Sequence, residues 1–307
     1  MSARVAPARA ADHIRARARI PSPGSGAGAV LREVWRRPGG AYALVVLSLV
    51  AAAAALSLVW TPHDLLAADA SARLQGPSAL HPLGTDTIGR DTASWLLAGS
   101  RTAVVLVAGA TGLAAVLGVG LSTVSALLPP RWAEPLVVVV DVLVAIPVLL
   151  IAMLLATPFG GSLTLVVVAV GAGSGFSTAR VLRPEILRVS RSDYILASRA
   201  AGTGAVSRLV QHILPNTASV AVVQLTGAAS VALLAEAGLT FLGYGAPPAT
   251  PSWGRVLANA QSFIGVAPLS VVWPGLTITL TVLALTQLGD ALREALDPAL
   301  RARRRLR

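Results

Sequence analysis

Long apolar runs, nearly free of charged residues, recur along this 307-residue chain and dominate its pattern. A membrane-spanning helix needs about 20 apolar residues, with a range of roughly 17–25. Six segments are about this long, and only Asp141 places a charge inside any of them. The pattern therefore predicts an all-α polytopic membrane protein with six transmembrane helices. The predicted spans are residues 41–60, 102–128, 136–157, 163–179, 217–235 and 271–289.

The arginine positions give this predicted bundle an orientation. The chain has 25 basic residues, all of them Arg. If both termini are cytoplasmic, eight Arg lie in residues 1–40, one is Arg131, six lie in 180–216 and six in 290–307. Only four would lie outside. Membrane proteins keep basic loops on the cytoplasmic side, so we predict cytoplasmic N- and C-termini.

Composition excludes several classes of function. Hydrophobic residues make up 54% of the chain and charged residues 13%, with a net charge of +11; soluble domains average about 25% charged residues. The absence of Cys excludes a disulfide framework, a Cys-ligated metal site and a thiol nucleophile. The absence of Lys excludes a standard phosphate-binding P-loop and a pyridoxal Schiff base. We expect no catalytic residue, no cofactor and no metal on this chain.

The two ends of the chain are basic. Residues 1–40 and 291–307 are predicted to be cytoplasmic tails that lie near anionic membrane lipid. A signal peptide is disfavoured, because the first apolar run is long and no small-residue cleavage site follows it closely. Nucleic-acid binding is also disfavoured, because Trp35 is the only aromatic residue among the basic ones. The remaining predicted units are the first helix (41–60), an outer segment (61–101) and a five-helix core (102–290).

The outer segment, residues 61–101, is longer than a connection requires. Gly84 and Gly89 are turn residues, and Thr85 and Asp86 are good helix N-caps. Residues 93–101 are predicted to form an interfacial helix leading into the second span. A metal site at the His and Asp residues is the disfavoured alternative, because such residues more often cap helices and pair with arginine. The candidate residues are His81, Gly84, Thr85, Asp86, Gly89, Arg90 and Asp91.

The inner segment, residues 180–216, is the second long polar stretch. A polar helix follows Pro184, and Ser192 is predicted to cap a helix over 194–201 that stops at Gly202. A second short helix over 205–212 leads to Pro215, after which Asn216 or Thr217 would cap the fifth span. Two short helices across a glycine turn form a compact knob whose small residues allow another surface to approach closely.

Two acidic residues in or beside the spans are candidates for the translocation pathway. An acidic residue at the centre of a membrane costs about 2.5–3.5 kcal/mol. Asp141 is therefore a pathway candidate, with pairing to an arginine as the alternative. Glu236 is a second candidate, with structural hydrogen bonding as the alternative. Pro147 and Pro274 are expected to kink their helices.

The inner segment resembles the signature of ABC-importer permeases: Glu-Ala-Ala, three residues, Gly and, nine to eleven residues later, Ile-Leu-Pro. The aligned residues are Leu196-Ala197-Ser198, Gly202 and Ile213-Leu214-Pro215-Asn216. Four further stretches, in order along the chain, resemble the dipeptide/oligopeptide/nickel branch of these permeases. They are residues 81–91, 236–243, 251–254 and 289–298.

The resemblance implies a type I ABC importer permease fold in the inner cell membrane. It implies that this chain is the second-type permease of a heterodimeric pair, importing peptides or related small solutes. Two cytoplasmic ATPase subunits would carry ATP and Mg, and an external binding protein would deliver the substrate. The family's Glu is replaced by Leu196, so contact would rest on packing, helix ends and Arg199. The implied coupling residues are Leu196, Ala197, Ser198, Arg199, Gly202, Ile213, Leu214 and Pro215.

Two other classes of function stay open at this stage. A secondary transporter driven by protons or sodium would suit glycine-rich, proline-kinked spans, with Asp141 and Glu236 relaying protons. A membrane scaffold would use the knob to dock a cytoplasmic partner. An ATPase that co-purifies with the chain would favour the importer over both. The sequence does not identify the substrate among dipeptides, longer peptides, nickel chelates and related solutes.

Overall fold

The computed structural model describes residues 27–296, and over this range the chain folds into a helical bundle. Short 3-10 turns occur at Ala70–Ala72 and Gln261–Phe263, and a π-helical turn at Leu209–Ile213 joins the helix Ala205–Arg208 to the helix that begins at Leu214. The helices are α1 (Ala27–Trp35), α2 (Pro38–Leu56), α3 (Thr92–Leu127), α4 (Pro130–Ala145), α5 (Val148–Phe159), α6 (Leu163–Ser190), α7 (Asp193–Ala200), α8 (Ala205–Arg208), α9 (Leu214–Phe241), α10 (Trp253–Ala260) and α11 (Leu269–Leu296).

Six membrane crossings fit this arrangement. Four long apolar helices, α2, α3, α6 and α11, and the continuous run Ala205–Phe241 are each long enough to cross a membrane. The pair α4 and α5 forms the sixth crossing, bent by 78°. The all-α, six-span architecture is therefore confirmed. Of the predicted basic tails, residues 1–26 and 297–307 lie outside the described residues.

The third span is broken at Pro147. Proline has no amide hydrogen to donate and forces the preceding residue out of the helical conformation. Ile146 accordingly has extended backbone angles, and a new helix begins at Val148. The kink predicted at Pro147 is confirmed as a full break. No break occurs at Pro274, which lies inside the continuous helix α11.

Two predicted short helices are wrong as separate elements. Helix α3 begins at Thr92, so residues 93–101 are its first turns, and Trp95 is buried rather than interfacial. Helix α6 continues through Pro184 to Ser190, so the polar helix after that proline is the end of the fourth span. The sequence pattern predicts both helix boundaries where polar residues begin, but tertiary packing extends both membrane-spanning helices past those residues.

Helices α3 and α6 make the most extensive helix contact in the described chain. A Cβ added at Gly118 would lie 2.6 Å from Cγ2 of Thr178, and one at Gly175 would lie 2.8 Å from Cβ of Leu117. These glycines therefore allow the two backbones to approach closely, as small residues do between membrane helices. Gly112, on the same helix α3, has nothing within 4 Å of its added Cβ and faces away.

Buried side chains divide the bundle into layers. Trp95, Leu233 and Trp253 pack at the outer end, where Trp253 Nε1 donates a 2.9 Å hydrogen bond to the carbonyl oxygen of Leu96. A middle layer is formed by Leu106, Val166, Val170 and Leu239. At the opposite end, α1 packs on α11 through Val34, Ala291 and Ala295. These layers hold the inner segment and the outer segment at opposite ends of one bundle.

Candidate functional site

The inner segment turns sharply at Gly202, where α7 ends. Gly202 has φ +79°, a left-handed conformation that residues with a side chain rarely adopt. Its amide donates to the carbonyl oxygen of Arg199 at 3.0 Å, and the Thr203 amide donates to that of Ser198 at 3.2 Å. This pair of bonds is the Schellman motif, which satisfies the last carbonyl groups of a helix. The predicted stop of the helix at Gly202 is confirmed.

Two capping predictions in the inner segment are wrong. Ser192 precedes α7, but its hydroxyl donates to the carbonyl oxygen of Val189 at 2.6 Å instead of accepting from α7. Asn216 and Thr217 do not begin the fifth span, because α8 passes through the π-helical turn into α9 without a break. Pro215 lies just after this π-helical turn and is the second residue of α9.

Four buried aliphatic residues anchor this knob to the bundle. Ile195 on α7 and Ile213 at the start of α9 pack against Ile186 and Val189 at the end of α6. All four are at most 5% exposed. The knob is thus fixed to two membrane-spanning helices, so that a force applied to it reaches both of them.

The knob also carries apolar side chains that the described chain leaves uncovered. Three large hydrophobic side chains are exposed, Leu196 by 51%, Val206 by 75% and Val210 by 55%. Exposed apolar side chains on an otherwise polar segment favour a protein-interaction surface. We call these three residues the apolar contact surface.

The predicted coupling residues divide between exposed positions on the knob and the anchor. Ser198 and Leu214 are half-buried, with the Ser198 hydroxyl 3.1 Å from that of Thr203. Ile213 is buried and belongs to the anchor. The exposed members are Leu196, Ala197, Arg199, Gly202 and Pro215.

Sequence reasoning did not select Val206 and Val210, because the family signature constrains neither position. An apolar residue repeated every four positions outside a span, as at 206 and 210, could have identified them.

Two cavities run beside α9. One of about 580 Å³ lies behind the inner segment, and its walls include Glu185, Tyr194, Asn216 and Arg293. The second, of about 440 Å³, lies at the break between α4 and α5. Val223 and Gln224 line both cavities. The two cavities therefore adjoin each other at residues 223 and 224 of α9.

Neither predicted pathway acid is among the residues that line these two cavities. An oxygen of Asp141 lies 3.3 Å from Nε of Arg180, at a separate cavity of about 210 Å³. Glu236 is 3% exposed and accepts a 2.8 Å hydrogen bond from the hydroxyl of Thr240. Both acids thus have the structural partners that the sequence offered as alternatives, and their part in a pathway stays a prediction.

The outer segment folds back on the first turn of α3. Asp91 caps that helix by accepting from the Ser94 amide at 2.8 Å, whereas Thr85 and Asp86 do not cap it. Asp86 instead accepts from Nε of Arg90 at 2.8 Å, which is the expected pairing with arginine. Positive φ angles at Gly84 and Gly89 confirm their turns.

Asp91 is also the centre of a small polar cluster. His81 Nδ1 lies 3.0 Å from Oδ1 of Asp91, and His63 Nδ1 lies 3.6 Å from its Oδ2. Burial raises the pKa of Asp91, but hydrogen bonds from Ser94 and His81 lower it more, so this pKa lies below its usual value. His63 was not selected from the sequence, since nothing in the local pattern indicates that residue 63 reaches residue 81.

A known protein family matches most of this arrangement. Residues 89–302 match the family described as "Binding-protein-dependent transport system inner membrane component". The matched range begins just before α3 and includes the inner segment and both cavities described above.

Individual relatives each match more than two thirds of this chain. It is 33% identical over 258 residues to the nickel transport system permease protein NikC of Escherichia coli (strain K12), covering 84% of this chain and 93% of that protein. It is 36% identical over 228 residues to the di/tripeptide transport system permease protein DppC of Pseudomonas aeruginosa (strain UCBPP-PA14), covering 74% and 75%. It is 37% identical over 287 residues to the glutathione transport system permease protein GsiD of Pectobacterium atrosepticum, covering 88% and 92%.

Proposed function

We propose that this chain receives force from separate ATPase subunits through the apolar contact surface. The premise is that the chain belongs to the family of inner membrane components of binding-protein-dependent transport systems. It is therefore the membrane permease of an ABC importer. Permeases of this kind are not themselves catalytic. The observation that carries the proposal is the exposure of Leu196 and Val206 on a knob that is fixed to α6 and α9.

The coupling mechanism follows from this attachment. A rigid knob that moves with an ATPase tilts the helices to which it is anchored, and this tilt biases a two-state membrane element. Val189 at the end of α6 and Ile213 at the start of α9 transmit the movement through direct packing. Because Leu196 stands where the family has Glu, the contact rests on apolar packing, the end of α7 and Arg199. Leu196, Ala197, Ser198, Arg199, Gly202, Ile213, Leu214 and Pro215 together form the proposed coupling site.

The proposed pathway follows α9. The two cavities that meet at Val223 and Gln224 lie beside the inner segment and beside the break at Pro147. A broken helix beside a cavity is a common feature of transport pathways, because irregular backbone is tolerated where it does not face lipid. Movement of the knob would therefore alter the same helices that line both cavities.

The cargo and partners are proposed from the relatives. The three named relatives transport nickel, di- and tripeptides, and glutathione, so we propose a short peptide or a related small solute as substrate. We further propose that the chain pairs with a second, homologous permease subunit, works with two ATPase subunits that hold ATP and Mg, and receives substrate from an external binding protein. No cofactor is proposed on this chain, and the basic tails are proposed to contact membrane lipid rather than nucleic acid.

Cysteine cross-linking tests the docking surface directly, because the natural chain contains no Cys. Leu196→Cys and Val206→Cys should each cross-link to a co-expressed ATPase subunit carrying a cysteine in its permease-facing cleft. Leu66→Cys is the matched control, because Leu66 is an 80% exposed leucine on the outer segment. Cross-linking from residue 66, or none from either inner position, would refute the docking surface. A proton- or sodium-driven transporter would capture no ATPase at all.

A further inference from the structure

Three potential metal ligands converge where the outer segment meets α3. His63, His81 and Asp91 each place one ligand atom so that all three atoms lie within 4.8 Å of one another. His63 comes from the start of the outer segment, His81 from its middle and Asp91 from the residue just before α3. The two imidazole rings lie side by side, with centroids 4.6 Å apart and an angle of 34° between them.

The spacing of these atoms suits a small divalent ion. Zinc binds imidazole nitrogen and carboxylate oxygen at about 2.0–2.2 Å, which places two tetrahedral ligands about 3.4 Å apart. Nδ1 of His81 lies 3.0 Å from Oδ1 of Asp91 and Nδ1 of His63 lies 3.6 Å from Oδ2, and these two separations lie on either side of that value. Small side-chain rotations would therefore bring the three ligands around one ion.

The burial of these three side chains also fits a metal site. Asp91 has 1% of its side chain exposed, His81 12% and His63 30%. His63 Nδ1 is itself fully buried and has no hydrogen-bond partner. A buried polar atom without a partner is costly, and this nitrogen faces the carboxylate of Asp91. An ion between them would satisfy it and leave the more exposed His63 side open to a water ligand.

Neighbouring groups hold each ligand in place, as metal sites require. Ser94 donates to Oδ2 of Asp91 through both its amide and its hydroxyl, and the Ser94 oxygen accepts from the backbone amide of His63 at 2.9 Å. The His81 amide donates to the hydroxyl of Ser78 at 3.0 Å. One serine therefore positions two of the three ligands.

We propose that His63, His81 and Asp91 form a binding site for one divalent transition-metal ion of the zinc class, which fastens the outer segment to the start of α3. Imidazole and carboxylate together suit Zn²⁺, Co²⁺ and Ni²⁺. The site is structural: the ion joins the start, the middle and the last residue of the stretch 61–91, which precedes α3 and has little regular structure. This proposal departs from the sequence-based expectation of no metal. The potential ligands weighed there were His81, Asp86 and Asp91, and His63 was not among them. Asp86 is engaged by Arg90.

Cobalt titration of the full-length chain tests the site. The chain is purified in detergent through a tag without histidine, stripped with a chelator and titrated with Co²⁺ while the visible d–d absorption is recorded. One Co²⁺ per chain is expected, with displacement by Zn²⁺. His63→Gln and His81→Gln should each weaken binding at least about tenfold, since even altering a supporting residue has an effect of this size.

Matched controls keep the outcome decisive. Changing the two other histidines together, His13→Gln and His212→Gln, should leave the stoichiometry and the absorption unchanged. Asp91→Asn keeps a good helix cap and should lose the bound ion without unfolding. Equal binding by the natural chain and the His63 and His81 variants would overturn the proposal, as would the absence of binding by the natural chain. The result does not depend on ATPase docking.

Discussion

The backbone amide of Thr203 donates a hydrogen bond to the carbonyl oxygen of Ser198, 3.2 Å away, across the left-handed residue Gly202. This bond closes the end of α7 and sets the angle at which the chain leaves toward α8. The apolar contact surface depends on that angle, because Leu196 lies on one side of the turn and Val206 on the other. The geometry of the surface therefore depends on the backbone conformation of one residue.

Replacing Gly202 with valine should disrupt coupling while leaving the chain folded. A β-branched residue at φ +79° carries a backbone strain of about 1–3 kcal/mol. The strain is in the backbone and does not come from a clash of the Cβ, because nothing lies within 4 Å of a Cβ added at Gly202. The expected result is loss of ATP turnover stimulated by the binding protein in the assembled importer, with normal membrane insertion.

Gly204→Val is the matched control for this turn. Gly204 is equally exposed and has equal space, but its φ is −63°, which valine adopts readily. ATP turnover should therefore remain near normal in this variant. Equal turnover in the two variants would show that the turn at Gly202 does not set the contact.

A charge within the apolar contact surface should weaken ATPase binding. Val206 is 75% exposed and lies in the first turn of α8, where aspartate favours the helix dipole. Val206→Asp should therefore fold normally but leave an unpaired charge in a docked interface, which is costly. The amount of ATPase that co-purifies should fall at least about tenfold. Leu66→Asp, on the exposed outer segment, should leave it unchanged.

The membrane crossings could be predicted from the sequence because each depends on a local property. Apolar length alone located six spans, and the missing amide of Pro147 indicated the break in the third. Helix ends were less predictable, because they depend on distant partners. Trp95 is buried in the first turns of α3 rather than interfacial because Trp253, more than 150 residues away, packs beside it and bonds to Leu96.

Two glycine-to-alanine substitutions on α3 test how closely this helix packs on α6. A Cβ at Gly118 would lie 2.6 Å from Cγ2 of Thr178, so Gly118→Ala forces an overpacked contact that typically costs about 1–3 kcal/mol. Gly112→Ala adds the same methyl group six residues earlier, where the space is open. It should leave stability unchanged or raise it, since alanine favours a helix over glycine.

Thermal unfolding of the detergent-purified chain measures the difference between these variants. The midpoint temperature should fall for Gly118→Ala and should not fall for Gly112→Ala. If both variants unfold at the temperature of the natural chain, the two helices do not pack as closely as the glycine positions indicate.

The residues of the candidate sites also differ in whether the local sequence or distant contacts determine their role. Gly202 was found from the sequence because the end of a helix is a local property. His63 was not, because its partner His81 is 18 residues away in a segment with little regular structure. Asp141 and Glu236 drew attention by their charge, yet the cavities along α9 meet at the uncharged Gln224. Charge identifies residues that need partners, and it does not show which surfaces face a cavity.

Obstructing the point where the two cavities meet should block translocation without releasing the ATPase. Gln224 is half-buried and lines both cavities. Gln224→Phe replaces a polar side chain with a bulkier apolar ring, which narrows the passage and removes its hydrogen-bonding group. Uptake of the solute delivered by the binding protein into proteoliposomes should fall at least about tenfold, while ATPase co-purification stays normal because residue 224 is not part of the apolar contact surface. Gln261→Phe, the same change at an exposed outer position, should transport normally. Normal uptake by the Gln224 variant would exclude this route along α9 and would favour a pathway past Asp141 or Glu236. Measuring solute uptake by the Asp141→Asn and Glu236→Gln variants would then show which of these two acids lies on the pathway.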